Sequence, residues 1–290
     1  MDDEALMLLA VEEAKASLRE GNNGFGAVLA RDGQVIAAAH DCEDTQGDPT
    51  SHAELNVIRA ASRVLGRKLT GCRIISTHEP CPMCAAAIVW ADIPAVVYGY
   101  SIEDALSQGR KRMNIGCAEI FARAGNCVEI RKGVLKDDCA ILYHEEVRRE
   151  IKRLRAADDA ALCALNEDST ARRTAWFLEQ GDRIRRRGAD DPLEAGYRLL
   201  LERFHISQEE APVVFRTERQ IGFHSMNFCP TLEACKILGL DTRYICKRIN
   251  EDSTNRLLRL LDPRLRFSRN YEKLRPYSEY CEEMITLIPE

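Results

Sequence analysis

The chain of 290 residues has no apolar run near the length needed to span a membrane. It also lacks the basic n-region of a secretory signal peptide, since it starts Met1-Asp2-Asp3-Glu4. The expected compartment is therefore the cytoplasm. Positive charge is not in excess either. A net charge of −5 and a pI of about 5.8 argue against wholesale nucleic-acid binding, which favours a strong basic footprint, and leave room for a local basic patch. No internal repeat stands out.

A composition of 45% hydrophobic and 30% charged residues reads as a globular chain, with room for one large or two ordinary domains. Cysteine is abundant, at twelve residues. Without a signal peptide these read as thiols and metal ligands rather than disulfides. Cys72 and Cys127 sit beside expected strands and read as small core residues.

Two short pieces carry the chemistry: Ser51-His52-Ala53-Glu54 and Glu79-Pro80-Cys81-Pro82-Met83-Cys84. The imidazole of His52 and the sulfurs of Cys81 and Cys84 make three ligands. Three suit a catalytic zinc, which keeps a position open for water and lowers the pKa of that water to roughly 7. Glu54 lies two residues beyond His52, where side chains diverge around a helix axis, so it fits a proton carrier rather than a fourth ligand. Cys81 and Cys84 are three apart, on one side of a first helical turn. Unpaired N–H groups at that helix start favour thiolate. A C-x-x-C alone also allows a structural zinc, a redox pair or inert cysteines.

In chain order, Glu4 to Arg19 is helical by apolar spacing and ends at Gly21-Asn22-Asn23-Gly24. Phe25 to Ala30 and Gln34 to Ala39 read as strands joined by the hairpin signal Asp32-Gly33. A helix begins at His52, with Thr50 or Ser51 as its cap. Arg73 to Thr77 is a strand, Cys81 to Trp90 a helix with Pro82 in its first turn, and Ala95 to Tyr100 a strand. Ser101 to Asn114 holds the basic loop Gly109-Arg110-Lys111-Arg112. Cys117 to Ala124 is a short helix, Val128 to Ile130 a fifth strand, and Leu135 to about Ala157 one long helix. Alternating strand and helix predict an α/β fold with both site pieces at strand-to-helix connections.

Beyond residue 157 the character shifts. Residues 158–190 form a charged linker or helix containing Arg183-Ile184-Arg185-Arg186-Arg187. Residues 191–290 are expected to form a second, mainly α-helical (α+β) domain. Its helices fall at Leu193 to Phe204, at Thr231 to Leu238 with Thr231 as cap and Gly239 as stop, and at Arg243 to Leu261.

Residues 1 to about 155 resemble the cytidine/deoxycytidylate-like zinc deaminase superfamily, with the closest look to bacterial cytosine/guanine deaminases and tRNA adenosine deaminases. The matching features are H-x-E at His52–Glu54, P-C-x-x-C at Pro80–Cys84, Phe25-Gly26-Ala27-Val28-Leu29, Gly47-Asp48-Pro49-Thr50 and Gly133-Val134-Leu135. This resemblance implies a three-layer α/β/α sandwich around a five-stranded mixed sheet. It implies hydrolytic deamination of an amino-substituted ring, one Zn²⁺ in the deaminase domain held by His52, Cys81 and Cys84, and a homodimer that completes the pocket. Glu54 becomes the catalytic proton carrier, and Asp41, Phe25, Ala53 and Pro80 become substrate-binding candidates. Phe25 stacks on the base or is an ordinary core aromatic.

Asp41 stands where many relatives carry asparagine. A carboxylate only accepts hydrogen bonds, so Asp41 either binds donor groups of the substrate or orders its loop. His78 supports the site or merely ends a strand, and the latter reading is favoured. The C-terminal part faintly resembles the L-2-amino-thiazoline-4-carboxylic acid hydrolase family through Asn227-Phe228-Cys229-Pro230, Cys235, Cys246 and Tyr280-Cys281-Glu282-Glu283. With His205 and His224 these cysteines make a metal or thiol site or are buried in a ligand-binding module. Their spacings match no standard zinc module. The expected function is zinc-dependent deamination of a nucleobase or nucleoside such as guanine, cytosine or adenosine. The alternatives are a tRNA adenosine deaminase, with Arg110, Lys111, Arg112 and Arg183 to Arg187 on phosphates, and a non-catalytic ligand sensor.

Overall fold

A computed structural model describes residues 1–187 and 191–289, in two compact units, Met1–Lys152 and Arg153–Glu290. In the first unit the chain runs α1 (Asp3–Glu20), β1 (Gly26–Arg31), β2 (Gln34–His40), α2 (Glu43–Gln46), α3 (Ala53–Leu65), β3 (Cys72–His78), α4 (Pro82–Trp90), β4 (Ala95–Tyr100), α5 (Ile102–Ser107), α6 (Cys117–Arg123), β5 (Glu129–Lys132), α7 (Lys136–Tyr143) and α8 (Glu145–Leu154). Asp2 caps α1 through Ala5 N, and Gly21 closes it in the left-handed conformation. Asp32 and Gly33 both have positive φ, the two-residue turn that matches strand twist, and Arg31 pairs with Gln34 across it.

The sheet order is β2-β1-β3-β4-β5. β1 is antiparallel to β2 and β3, while β3, β4 and β5 are mutually parallel. Side chains alternate between its faces. Ala27, Leu29, Ile74, Val96 and Tyr98 pack with Val57 and Ala61 of α3, Ala85 and Ile88 of α4 and Phe121 of α6. Helices α1 and α7 pack together and also lie on the sheet. The result is a three-layer α/β/α sandwich on a five-stranded mixed sheet. Gly26 lets α1 approach β1 closely, because a Cβ there would meet the backbone of Ala10 and Ala14.

Several local expectations are corrected. The long helix from Leu135 breaks at His144, which is extended between α7 and α8. The cap of α3 is His52 itself, not Thr50 or Ser51; the Ser51 hydroxyl bonds the Gln46 side chain instead. The stretch from Ser101 holds α5, opened by a capping box of Ser101 and Asp104. Cys72 is buried, whereas Cys127 is exposed.

The second unit contains α9 (Asp159–Arg187), α10 (Pro192–Phe204), β6 (Val213–Arg216), β7 (Gln220–Ser225), α11 (Pro230–Leu238), α12 (Thr242–Cys246), a π-helical turn (Lys247–Glu251), α13 (Asp252–Leu261), β8 (Leu265–Arg269) and β9 (Cys281–Leu287). Its antiparallel sheet has the order β6-β7-β9-β8. Leu199, Leu200, Phe223, Leu257, Phe267 and Ile285 share its core. Pro230 opens α11 with Cys229 as cap, so Thr231 is already inside the helix. The π turn divides the single helix expected from Arg243 to Leu261. Of the charged segment 158–190, the last three residues lie outside the described residues, as do the side chains of Arg185, Arg186 and Arg187. Arg183 is paired with Glu202. No helix among the described residues is long and apolar enough to cross a membrane.

Candidate active site

Helices α3 and α4 both start at the same end of the sheet, one before β3 and one after it. His52 is the N-cap of α3 and Cys81 the N-cap of α4, and neither side chain is used for capping. Both side chains are therefore available to each other. His52 Nδ1 lies 3.6 Å from Cys81 Sγ and 3.5 Å from Cys84 Sγ. The three donor atoms fall within 4.8 Å of one another.

These spacings test whether a zinc ion fits. Zn–N and Zn–S bonds of about 2.05 and about 2.3 Å in a tetrahedron set an N–S edge of about 3.6 Å, which is what His52 makes with each sulfur. The thiol of Cys81 is pulled down to about 4, first by the hydrogen bond with Cys84 and further by His52. Cys84 is pushed up by that same bond and by burial. The contact with Cys81 in turn raises His52 to about 9, so a divalent cation binding here competes with protons on both Cys84 and His52. His52 Nε2 lies 3.6 Å from Glu43 Oε1, and such a carboxylate orients a ligating imidazole. The donor set fits zinc, with one tetrahedral position left for water or substrate.

Glu54 occupies the first turn of α3 and is 5% exposed. Ser76 Oγ donates to its Oε1 at 3.1 Å, and its Oε2 lies 3.5 Å from Cys84 Sγ. Burial pushes its carboxyl above the usual range, which suits a group that takes and returns a proton.

A cavity of about 440 Å³ opens over these groups. Phe25 lines it, stacked on Tyr143 at 5.2 Å between ring centroids and met edge-on by His78 at 5.5 Å. The Tyr143 hydroxyl is tied to Thr77 Oγ1 at 2.8 Å. His78 also lines the cavity. Burial holds its pKa down at about 4, so the ring is neutral. Its Nδ1 lies 3.0 Å from the Glu79 carbonyl, which can only accept, so Nδ1 carries the proton and Nε2 is an acceptor without a partner. Glu79 binds the backbone N–H groups of Ile102 and Cys117, each at 3.0 Å, and fixes the loops beyond β4.

The other expected residues are placed differently. Asp41 is fully buried and does not line the cavity. One of its oxygens accepts from Asn23 N at 3.1 Å, and the other has no partner. Burial pushes it up to about 6, and Glu43 beside it adds to the effect. Ala53 and Pro80 are buried next to the ligands, and neither lines the cavity. Glu43, Ser76, Tyr143 and Arg148 were missed, because no local pattern marks them. Arg110, Lys111, Arg112 and Arg148 line the cavity, and none forms an ion pair with a carboxylate among the described residues. Arg112 lies over the Phe25 ring at 5.4 Å.

In the second unit, Cys229, Cys235, Cys246 and Cys281 belong to no metal-ligating group among the described residues. His224 stacks on Tyr280, and His205 closes α10.

Residues 1–100 match the family model for the cytidine and deoxycytidylate deaminase zinc-binding region. A tRNA-specific adenosine deaminase of Bacillus subtilis is 35% identical over 156 residues, covering 53% of this chain and 94% of the relative. A guanine deaminase of the same organism is 41% identical over 111 residues, 38% of this chain and 71% of the relative. A solved structure from work on A-to-I editing by tRNA:A34 deaminases is 31% identical and covers 48% of this chain and 98% of that one, with a TM-score of 0.42. On its sequence, and with a donor set that fits the metal, the chain belongs to the cytidine/deoxycytidylate-like superfamily of zinc deaminases, hydrolases that act on C–N bonds.

Proposed function

We propose that the chain deaminates a free nucleobase or nucleoside, an amino-substituted purine or pyrimidine such as guanine, cytosine or adenosine, by hydrolysis. The observation that carries this is the buried Glu54, held by Ser76 beside the His52, Cys81 and Cys84 donor set under a cavity of about 440 Å³. His52, Cys81 and Cys84 would hold the zinc ion, which would supply Lewis-acid polarisation and a lowered pKa for a water molecule. Glu54 removes a proton from that water at the oxygen not held by Ser76. It delivers that proton to the ring nitrogen, then carries the second proton of the same water to the departing amine. The carbon gains oxygen from water, the C–N bond breaks, and ammonia leaves.

Phe25, stacked on Tyr143 and met by Arg112, forms an aromatic wall against which the base packs. His78 packs edge-on against Phe25 and shapes the same wall, while Ala53 and Pro80, buried beside the ligands, hold His52 and Cys81 in position from behind the cavity wall. Asp41 acts through its contact with the Asn23 segment. A homodimer belongs to the same reading. Trp90 at the end of α4 and Val64 near the end of α3 are 76% and 71% exposed, an apolar surface for a second copy. A coupled ammonia assay of the zinc-loaded chain over bases, nucleosides, pterins and triazines tests the reading. Turnover of a base or nucleoside supports it, and no ammonia from any of them overturns it.

A second reading, a tRNA adenosine deaminase, is favoured by one observation. Arg110, Lys111, Arg112 and Arg148 bring unpaired positive charge to the cavity, where a phosphate backbone is attracted. Filter binding across a salt series separates the two. Salt-sensitive tRNA affinity supports this reading, and its absence removes it.

A further inference from the structure

The first unit carries a second set of histidine, cysteine and carboxylate side chains, built from other elements than the first. Glu13 and Glu20 are seven residues apart on α1, close to two helical turns, so both project from one face. His40 ends β2, and Cys42 follows two residues later. Side chains two apart on an extended chain share a side. Asp41 between them is turned the other way, into its buried contact with Asn23 N. Helix α1 contacts β2, which brings the two pairs together.

Glu13 Oε2 lies 2.8 Å from His40 Nδ1, and Glu20 Oε2 lies 3.1 Å from His40 Nε2. The ligand atoms of Glu20, His40 and Cys42 fall within 4.8 Å of one another. The arrangement repeats the one at His52 with the ring nitrogens exchanged. There Nδ1 faces the sulfurs and Nε2 faces Glu43; here Glu13 sits on Nδ1 and the donors gather at Nε2. A carboxylate on the far nitrogen of a ligating imidazole fixes the ring and raises its basicity. A tetrahedral ion with Zn–N and Zn–O bonds of about 2.05 Å sets an N–O edge of about 3.3 Å, close to the separation of His40 and Glu20. Cys42 starts α2 without capping any backbone N–H, and its thiol rests on the His40 carbonyl at 3.6 Å. Burial and the negative charges of Glu20, Asp41 and Glu13 push that thiol up. A dication entering among these carboxylates takes the place of the thiol proton.

We propose that His40, Cys42 and Glu20, with Glu13 behind the imidazole, bind a second divalent transition-metal ion of the zinc class, exchangeable and separate from the ion of His52, Cys81 and Cys84. Imidazole and thiolate select such an ion over magnesium or calcium, which take oxygen ligands. The Glu20 side chain is 51% exposed, so the ion enters from solvent and leaves on dialysis. It ties the end of α1 to the connection between β2 and α2. The proposal does not depend on the deaminase reading.

The test uses the full chain, dialysed with its tightly held zinc in place. It is titrated with zinc chloride by calorimetry and with cobalt(II) by absorption, and the tight zinc is measured again after each titration. One further equivalent of zinc should bind, and cobalt(II) should give a sulfur-to-metal charge-transfer band. Cys42→Ser should remove that band and weaken the further equivalent by at least roughly tenfold, and His40→Gln should weaken it as much. Glu13→Gln, which touches only the far ring nitrogen, should weaken it by roughly tenfold. All three variants should keep the tightly held zinc. Absence of the further equivalent makes His40 only a charged partner of Glu13 and Glu20 and overturns the proposal. A band or an affinity unchanged in Cys42→Ser overturns it too, as does magnesium filling the site equally well. Should His40→Gln not fold, the cobalt band and its loss in Cys42→Ser decide.

Discussion

Ser76 Oγ donates a hydrogen bond of 3.1 Å to Glu54 Oε1, tying the middle of β3 to the first turn of α3. Both residues are buried. The bond fixes which carboxylate oxygen is left for proton transfer. Ser76→Ala should lower kcat by roughly tenfold, one hydrogen bond to a charged group, with KM and zinc content unchanged. Steady-state ammonia release together with metal analysis checks this. A fall in Tm with kcat retained would show that Ser76 only supports the fold.

Zinc retention should follow the donor set. His52→Ala and Cys84→Ala should each leave the purified chain with far less than one zinc, whereas Cys117→Ala, a buried thiol outside the set, should keep it. Atomic absorption reads the stoichiometry. A strong chelator should lower the Tm of the wild type, because the ion holds the starts of α3 and α4 together.

Asp41 is fully buried with one unpartnered oxygen. Asp41→Asn replaces an acceptor-only group with one that also donates. The ratio of kcat/KM between an amino-purine and an amino-pyrimidine substrate should shift by roughly tenfold. An unchanged ratio would assign Asp41 to loop order alone.

Asp241 gives a signed pH effect on stability in the second unit. Its carboxylate caps α12 by accepting from Arg243 N at 2.9 Å, and the Arg243 side chain holds its pKa down at about 2. A folded pKa below the unfolded value of about 4 contributes stability that is present above pH 4 and lost as pH falls through about 2. The group is exposed, so salt screens the effect. Asp241→Ala should cost about 1 kcal/mol at pH 7. In urea titrations the gap to wild type should close at acid pH; a gap constant from pH 7 to pH 2 contradicts the assignment.

The parts of the site that were legible in the sequence are those written in short-range code. His52, Glu54, Cys81 and Cys84 lie within two helix starts, and Asp32-Gly33 and Gly21 mark the turns that set β1 and α1. His78 and Glu43 reach the cavity, and Ser76 and Tyr143 reach Glu54 and Phe25, only through tertiary pairing, and each is a residue type common in any core or surface. The helix break at His144 was invisible because Cys139, Tyr143, Val147, Ile151 and Leu154 keep helical period straight through it. The second sheet was missed for a related reason. β7 pairs with β9, Gln220 opposite Thr286, across a separation that no local pattern records. Residues Cys281 to Leu287 do not alternate cleanly in burial either.

The central claim is that Glu54 moves the proton beside a zinc held by His52, Cys81 and Cys84. The most direct measurement is ammonia release by wild type and Glu54→Ala, each with its zinc content determined. The account predicts turnover of a base or nucleoside by wild type, and loss of at least roughly a hundredfold in Glu54→Ala with full zinc retained. Undiminished ammonia release by zinc-loaded Glu54→Ala would contradict it.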